Sequence, residues 1–283
     1  MKNNLFLKAR EEGVLVTSHR GSCGGNLSQN NIYTMKSALL QGADILELDV
    51  ILSKDNVFYV FHDNQEKHVL HLDDDIRNLT SKQIDDLVLY NWLNYPSGLK
   101  VSRLEEVLDA YPGALFNIDR SWSYWDEIIE FLSKRDYDHY LLKCHPEKQL
   151  LETLEAKGKN IPFMPILINS EELDLCLKYD INMVAVELLF SSLDSELISE
   201  EMFKFYKDND LLTFVNCETI SCLEKHNICA GLDDNNAIIK GFDETWGKLV
   251  DMGFDIIQTD WVALLKGYLN SRKGTNLLKN ENF

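Results

Sequence analysis

Short runs of β-branched and aromatic residues alternate along this chain with stretches whose apolar positions recur every three or four residues. The runs cover residues 14–18, 45–50, 57–62, 115–120, 140–144, 163–168, 183–188, 212–216 and 256–259. Between them lie amphipathic stretches at 32–41, 104–110, 125–134, 147–156, 171–179 and 246–252. Strand–helix alternation of this kind predicts a parallel sheet covered by helices. One connection breaks the rule. Only residues 51–56 separate the second and third runs, whereas a parallel crossover needs about a dozen residues. These two runs therefore form an antiparallel hairpin turning near Lys54-Asp55. Eight parallel strands remain, the number that closes a (β/α)8 TIM barrel. An open doubly wound sheet is the alternative, but no GxGxxG or GxxxxGK[ST] fingerprint occurs.

No repeat or low-complexity linker interrupts the series, so residues 1–283 form a single domain with its core at about 14–265. Residues 63–96 are an irregular insertion that follows a strand end, with a helix at 81–90; such insertions shape active sites. A second polar stretch occupies 227–241, and the polar tail from Tyr268 onward is expected to fray.

Strand ends in a barrel of this kind carry the chemistry. The second strand bears Glu47 and Asp49, two apart and so on one face, while Leu46, Leu48 and Val50 form an apolar face for the helix layer. Acids in a lumen repel each other unless they are protonated, paired or neutralised by a metal. A hard divalent cation suits carboxylate oxygens, with Asp119 from a strand further round as third ligand; Ca²⁺ and Mg²⁺ both fit. His19 and His62 stand at strand ends, and a turn centred on Lys54-Asp55 pairs residues whose numbers sum to 109. His62 then lies opposite Glu47 and shares its face; a slip of one residue would send it to the other. Two imidazoles beside a carboxylate cluster can act as base and acid on opposite sides of a phosphorus centre. His68, His71, His139, His145 and His226 fall in polar segments and read as surface residues.

Charge narrows the partners. The chain carries 28 Lys+Arg against 46 Asp+Glu, a net charge of −18, which argues against nucleic acid and anionic membrane surfaces. No apolar run is long enough for a signal core or a membrane span, and six cysteines without CxxC spacing read as reduced thiols rather than a zinc site. The expectation is a cytoplasmic protein with a small-molecule partner.

The chain resembles the glycerophosphodiester phosphodiesterase family of phospholipase-C-like phosphodiesterases. The resemblance rests on Ser18-His19-Arg20-Gly21, on Gly42-Ala43-Asp44-Ile45-Leu46-Glu47-Leu48-Asp49-Val50, on Ser53-Lys54-Asp55 and on Val60-Phe61-His62-Asp63. Weaker matches follow in family order at 104–108, 117–119, 213–216 and 257–260. The resemblance implies metal-dependent hydrolysis of glycerophosphodiesters to glycerol 3-phosphate and an alcohol. His19 and His62 would be the acid/base pair, Glu47, Asp49 and Asp119 would hold the cation, and Arg20 would clamp the phosphate. Two departures stand out: the usual Glu-Asn-Thr after the glycine loop is Gln29-Asn30-Asn31, and the usual Glu-Ile-Lys on the fourth strand is Asp119-Arg120-Ser121. Arg120 should point away from Asp119, so Lys143 on the next strand is the replacement cation for substrate binding. Alternatives are a lyase giving a cyclic phosphate and a non-catalytic phospho-ligand binding protein. Trp122, Trp125 and Trp261 could wall the alcohol site.

Overall fold

The computed structural model describes residues 5–10, 13–219 and 228–274; Cys222, His226 and the end of the tail lie outside them. Twelve strands are described: β1 Leu15–Ser18, β2 Ile45–Leu52, β3 Phe58–Val60, β4 Val88–Tyr90, β5 Pro96–Lys100, β6 Ser102–Arg103, β7 Leu115–Asp119, β8 Tyr140–Cys144, β9 Phe163–Leu167, β10 Ala185–Leu188, β11 Leu212–Asn216 and β12 Ile256–Thr259. Eight of them, β1, β2 and β7 to β12, form the parallel barrel. It closes because β1 pairs with β12 (Leu15 with Ile256) and also with β2 (Thr17 with Ile45). The barrel predicted from the alternation of runs is thus present, with the antiparallel β2–β3 hairpin beside it.

The α-helices described are α1 Leu5–Arg10, α2 Ile32–Leu40, α3 Ser81–Asp86, α4 Leu104–Ala110, α5 Trp125–Ser133, α6 Lys148–Lys157, α7 Ser170–Cys176, α8 Glu200–Asp208, α9 Asp234–Lys240, α10 Trp246–Met252 and α11 Val262–Arg272. None is long and apolar enough to cross a membrane. The main core lies between barrel and helices, and one buried cluster takes in Leu46, Leu48 and Val50 of β2 together with Leu104, Val107 and Leu108 of α4. A second core fills the base of the lumen. Phe6 of α1 packs there against Leu15, Ile45, Leu115, Leu141 and Ile256, so apolar burial seals the end of the barrel opposite the candidate site.

The hairpin register differs from expectation by one residue. Val50 pairs with Val60 and Leu52 with Phe58, so paired numbers sum to 110. The turn holds three residues, Lys54, Asp55 and Asn56, with Asn56 left-handed at φ 61° and Ser53 N–H donating to Val57 O at 2.9 Å. Asparagine tolerates that conformation through its short polar side chain, and the three-residue loop moves the register. The predicted Glu47–His62 pairing is therefore absent. Phe61 N–H makes a bond to Asp49 O beyond the named strands, and the chain then turns away, so His62 is not set by strand alternation.

Residues 63–96 are more ordered than predicted. The helix ends at Asp86, not at residue 90, because Leu87 is extended with ψ 146° and opens onto β4. The insertion reaches past residue 96 through β5 to β6, which pairs back onto β3. Ile51, Tyr59, Phe61, Ile76, Ile84 and Leu89 give it a small core of its own above the barrel. The segment 227–241 contains α9, whose N-terminus is capped by Asp233 accepting from Asn236 N–H. α11 does not stop near Gly267. It continues to Arg272 because Tyr268 and Leu269 are buried against the core.

Candidate active site

β1 ends in a sharp turn in which Arg20 (φ 54°) and Gly21 (φ 73°) are both left-handed. A Cβ on Gly21 would lie 2.7 Å from the Thr34 backbone, so glycine is required there. The turn aims the Arg20 backbone N–H at Glu47 Oε2 (2.6 Å) and brings its guanidinium Nε to 3.0 Å from Asp49 Oδ2. Gln29, where the family carries glutamate, accepts from Arg20 Nη1 at 3.3 Å, so that departure costs a charge but keeps a contact. Asn30, also left-handed, donates to Asp49 Oδ2 at 2.7 Å and accepts from Asp49 N–H.

Glu47, Asp49 and Asp119 each offer a carboxylate oxygen within 4.8 Å of the others. Asp49 and Asp119 are directly level, because β2 and β7 pair Asp49 with Asp119 and Glu47 with Asn117. Burial, with Asp49 beside it, pushes Glu47 up to about 8. Such a cluster is short of positive charge. Neither side-chain polar atom of Asn117, buried level with Glu47, has a hydrogen-bond partner. Hard oxygen donors from three carboxylates and partnerless polar groups on the same lumen face suit a divalent cation of the Ca²⁺ or Mg²⁺ kind.

Lys143, fully buried on β8, lies 2.8 Å from Asp119 Oδ2 and 3.2 Å from Glu187 Oε2. Burial alone would lower its pKa, but Asp119, Glu187 and Glu47 outweigh it and raise it, so the lysine is charged. The expected replacement cation therefore reaches the carboxylates, held inside the barrel as a counter-ion. Arg120 turns away, as its position next to Asp119 required: it is left-handed (φ 57°), binds Asp63 at 2.6 Å and lies over Trp122.

The two histidines stand in different surroundings. His19 Nε2 is 2.5 Å from Glu218 Oε2 and its Nδ1 is 2.9 Å from Asp260 Oδ1. Burial works against the charged ring, yet Glu218 and Asp260 prevail and raise its pKa well above the usual histidine value. Glu218 is held down at about 2 despite its burial, chiefly by His19. His62 has no hydrogen bond or ion pair to Glu47, Asp49 or Asp119 among the described residues. Its Nδ1 lies 2.5 Å from Asp63 O, a carbonyl that can only accept, so Nδ1 is the donor there and Nε2 is the ring nitrogen left free of that bond. Asp63 is anchored to Arg120 at 2.6 Å and Arg77 at 3.3 Å, which ties His62 to the rim where β7 ends.

Glu187 and Glu218 carry no motif in the sequence, and Asn30 and Asp260 lie in stretches compared with the family without a site role. Each is one polar residue at a strand end or in the loop after it, with partners far away in the chain. The only local signal was an acid inside an apolar strand, as at Glu187 in Ala185-Val186-Glu187-Leu188. Trp125 is buried and donates to Leu150 O at 3.0 Å, so it belongs to the core. Trp261 instead lines a cavity of about 600 Å³ that opens beside His19 and Arg20 and runs between α2 and α11.

The chain is similar to known proteins in both sequence and fold. The sequence profile of the glycerophosphoryl diester phosphodiesterase family matches residues 19–192, and that of a domain of unknown function matches 163–269. A glycerophosphodiester phosphodiesterase of Bacillus subtilis is 32% identical over 119 residues, 39% of this chain and 39% of the relative's length. A lysophospholipase D of Mus musculus is 22% identical over 283 residues, covering 90% of this chain and 85% of the relative. The chain spans half the length, or less, of the B. subtilis protein and of a human lysophospholipase D that also matches. Among solved structures, a glycerophosphoryl diester phosphodiesterase from Parabacteroides distasonis superposes with a TM-score of 0.70 at 16% identity, covering 90% of this chain and 87% of that one. An Oleispira antarctica phosphodiesterase in complex with the product sn-glycerol-3-phosphate has a TM-score of 0.64 at 17% identity, covering 92% of this chain and 99% of that one. At these identities the structures establish the fold.

Proposed function

This chain belongs to the glycerophosphoryl diester phosphodiesterase family, and on that premise we propose that it hydrolyses glycerophosphodiesters to glycerol 3-phosphate and an alcohol. The observation that carries the reading is the convergence of Glu47, Asp49 and Asp119, flanked by Arg20 and His19. A divalent cation bound by the three carboxylates would supply Lewis-acid polarisation of the phosphoryl oxygens.

The rest of the mechanism falls to the chain's own groups. Arg20, preset by Asp49 and Gln29, offers its remaining guanidinium donors to the phosphate. His62, through Nε2 of its neutral ring, takes the proton from the attacking hydroxyl, of water or of the substrate itself. His19, held between Glu218 and Asp260 and so doubly protonated, gives a proton to the departing alkoxide once the alcohol oxygen takes the place of one of these carboxylates at the ring. Lys143, 2.8 Å from Asp119 Oδ2, holds that carboxylate in place.

The direct test is release of glycerol 3-phosphate from glycerophosphocholine by purified protein. Activity should require added Ca²⁺ or Mg²⁺, stop with excess EDTA and return with the metal; metal-independent release, or none under any condition, would overturn the reading.

The assignment of His19 as the acid has a sign. A group that must be protonated sets the alkaline limb of the pH–rate profile, and a raised pKa moves that limb above the ordinary histidine range. Glu218 is the largest of the influences that raise it, so Glu218→Gln should shift the alkaline limb to lower pH while leaving a bell-shaped profile. An unmoved limb would remove His19 from the acid role.

A further inference from the structure

The ring of His19 is held by two acids from different loops, Glu218 after β11 and Asp260 after β12. Both lie beyond the ends of their strands, so strand pairing does not place them. One residue binds the chain beside each. Asp234, the first residue of α9, is only 2% exposed. Its backbone N–H donates to Cys217 O at 2.8 Å, one residue before Glu218. Its carboxylate Oδ2 accepts from Asp260 N–H at 2.8 Å and from the Thr259 hydroxyl at 2.9 Å, while Oδ1 accepts from Trp246 Nε1 at 3.0 Å. Thr259 Oγ1 in turn accepts from Trp261 N–H at 2.9 Å, which fixes the turn that presents Asp260. Among the described residues no lysine, arginine or histidine pairs with Asp234. A buried carboxylate without a counter-charge is tolerated only where donors satisfy it, and here three donors converge on it.

We propose that Asp234 is a positioning residue for the proton-donating step: it ties the ends of β11 and β12 together and so sets Glu218 and Asp260 on the two ring nitrogens of His19. This role deepens the hydrolase reading above and rests on it. Asp234 itself touches neither His19 nor the three convergent carboxylates, and acts through the backbone at Cys217 and Asp260. The titratable and charged groups around the His19 ring are Glu218, Asp260 and Glu47, with the Cys23 thiol and Arg20 from its own loop. Of these, Glu218 and Asp260 are the two whose loops Asp234 holds.

The test reads His19 directly. NMR titration of the histidine ring resonances gives its pKa with or without turnover, and the metal-loaded protein gives kcat, KM and the pH–rate profile on glycerophosphocholine. Asp234→Ala removes the acceptor of Asp260 N–H and of the Thr259 hydroxyl. Asp260 is then released from the ring, and the His19 pKa should fall by about one unit or more. The alkaline limb should move down with it, and kcat should drop about tenfold with KM little changed. That limb lies above the ordinary histidine range, where Asp234, pushed up by burial to about 7, is ionised in the parent protein. Asp234→Asn supplies one oxygen where two are engaged. It should shift the pKa in the same direction, and it is read in place of Asp234→Ala if that variant does not fold. Trp246→Phe deletes one donor to the same carboxylate and costs stability there, but it leaves the bonds to Thr259 and Asp260, so His19 should keep its pKa. An unmoved His19 pKa in the folded Asp234 variant, or an equal fall in Trp246→Phe, would overturn the positioning role while leaving the hydrolase intact. If the unsubstituted protein cleaves no diester, the hydrolase reading fails instead, and the NMR titration alone decides whether Asp234 positions His19, by the same criteria.

Discussion

Asp49→Asn should lose about three orders of magnitude in metal-stimulated kcat, together with the calorimetric signal of Ca²⁺ or Mg²⁺ binding. The size follows from removing a charged ligand from a Lewis-acid site that contributes several kcal/mol to the transition state. The residue also has structural duties that make it harder to replace than Glu47. Its Oδ2 accepts from Asn30 and faces Arg20 Nε at 3.0 Å, so a neutral amide there leaves the guanidinium without its counter-charge. The substitution is nearly isosteric, so the fold should survive, and a circular dichroism spectrum like that of the unsubstituted protein would separate lost chemistry from unfolding. Activity retained within about tenfold would mean that the cation is not bound by these carboxylates.

Lys143→Met should be the most destabilising single change at the site. Lys143 is buried with Asp119 and Glu187 as partners, and removing one member of such a group costs about 3–5 kcal/mol, because the remaining charges stay buried without a counter-ion. For a chain of this size that corresponds to a fall in Tm of roughly 10 °C. The sign of the pH effect can be worked out. Burial raises both Glu47, to about 8, and Glu187, and a carboxyl whose folded pKa is raised withdraws stability as pH climbs from its unfolded value toward its folded one. The deficit of Lys143→Met should therefore shrink on acidification toward the ordinary carboxylate range, where the acids protonate in folded and unfolded chains alike. Added Ca²⁺ at neutral pH should recover part of the lost Tm by restoring positive charge among the same oxygens. A variant as stable as the parent at all pH values would contradict the counter-ion role.

Much of this arrangement was legible in the sequence because the signals were local. Runs of β-branched residues at regular intervals give eight parallel strands and a hairpin, and the alternation Leu46-Glu47-Leu48-Asp49-Val50 turns two acids inward by geometry alone. What escaped has particular causes. The hairpin register moved by one residue because a left-handed Asn56 lengthens the turn, a choice that strand periodicity does not encode. β5, Pro96-Ser97-Gly98-Leu99-Lys100, has no strand composition and forms only because β4 is there to pair with it. Glu187 and Glu218 act through partners 44 and 199 positions away, so no short motif marks them, and the match at 257–260 contains Asp260 without giving its contact with His19. Lys143 is the instructive intermediate case. It was found from a missing lysine on the neighbouring strand, but its confinement between Asp119 and Glu187 needed the closed barrel to be seen.

The proposed hydrolysis of glycerophosphodiesters, dependent on a divalent cation at the three convergent carboxylates, has one decisive measurement. Phosphorus NMR tests it most directly, following glycerophosphocholine with the purified protein in the presence of Mg²⁺ or Ca²⁺ and again after EDTA. The prediction is that the diester resonance is replaced by that of glycerol 3-phosphate only when the metal is present. Persistence of the diester with metal added, or its accumulation as a stable cyclic phosphate, would contradict it.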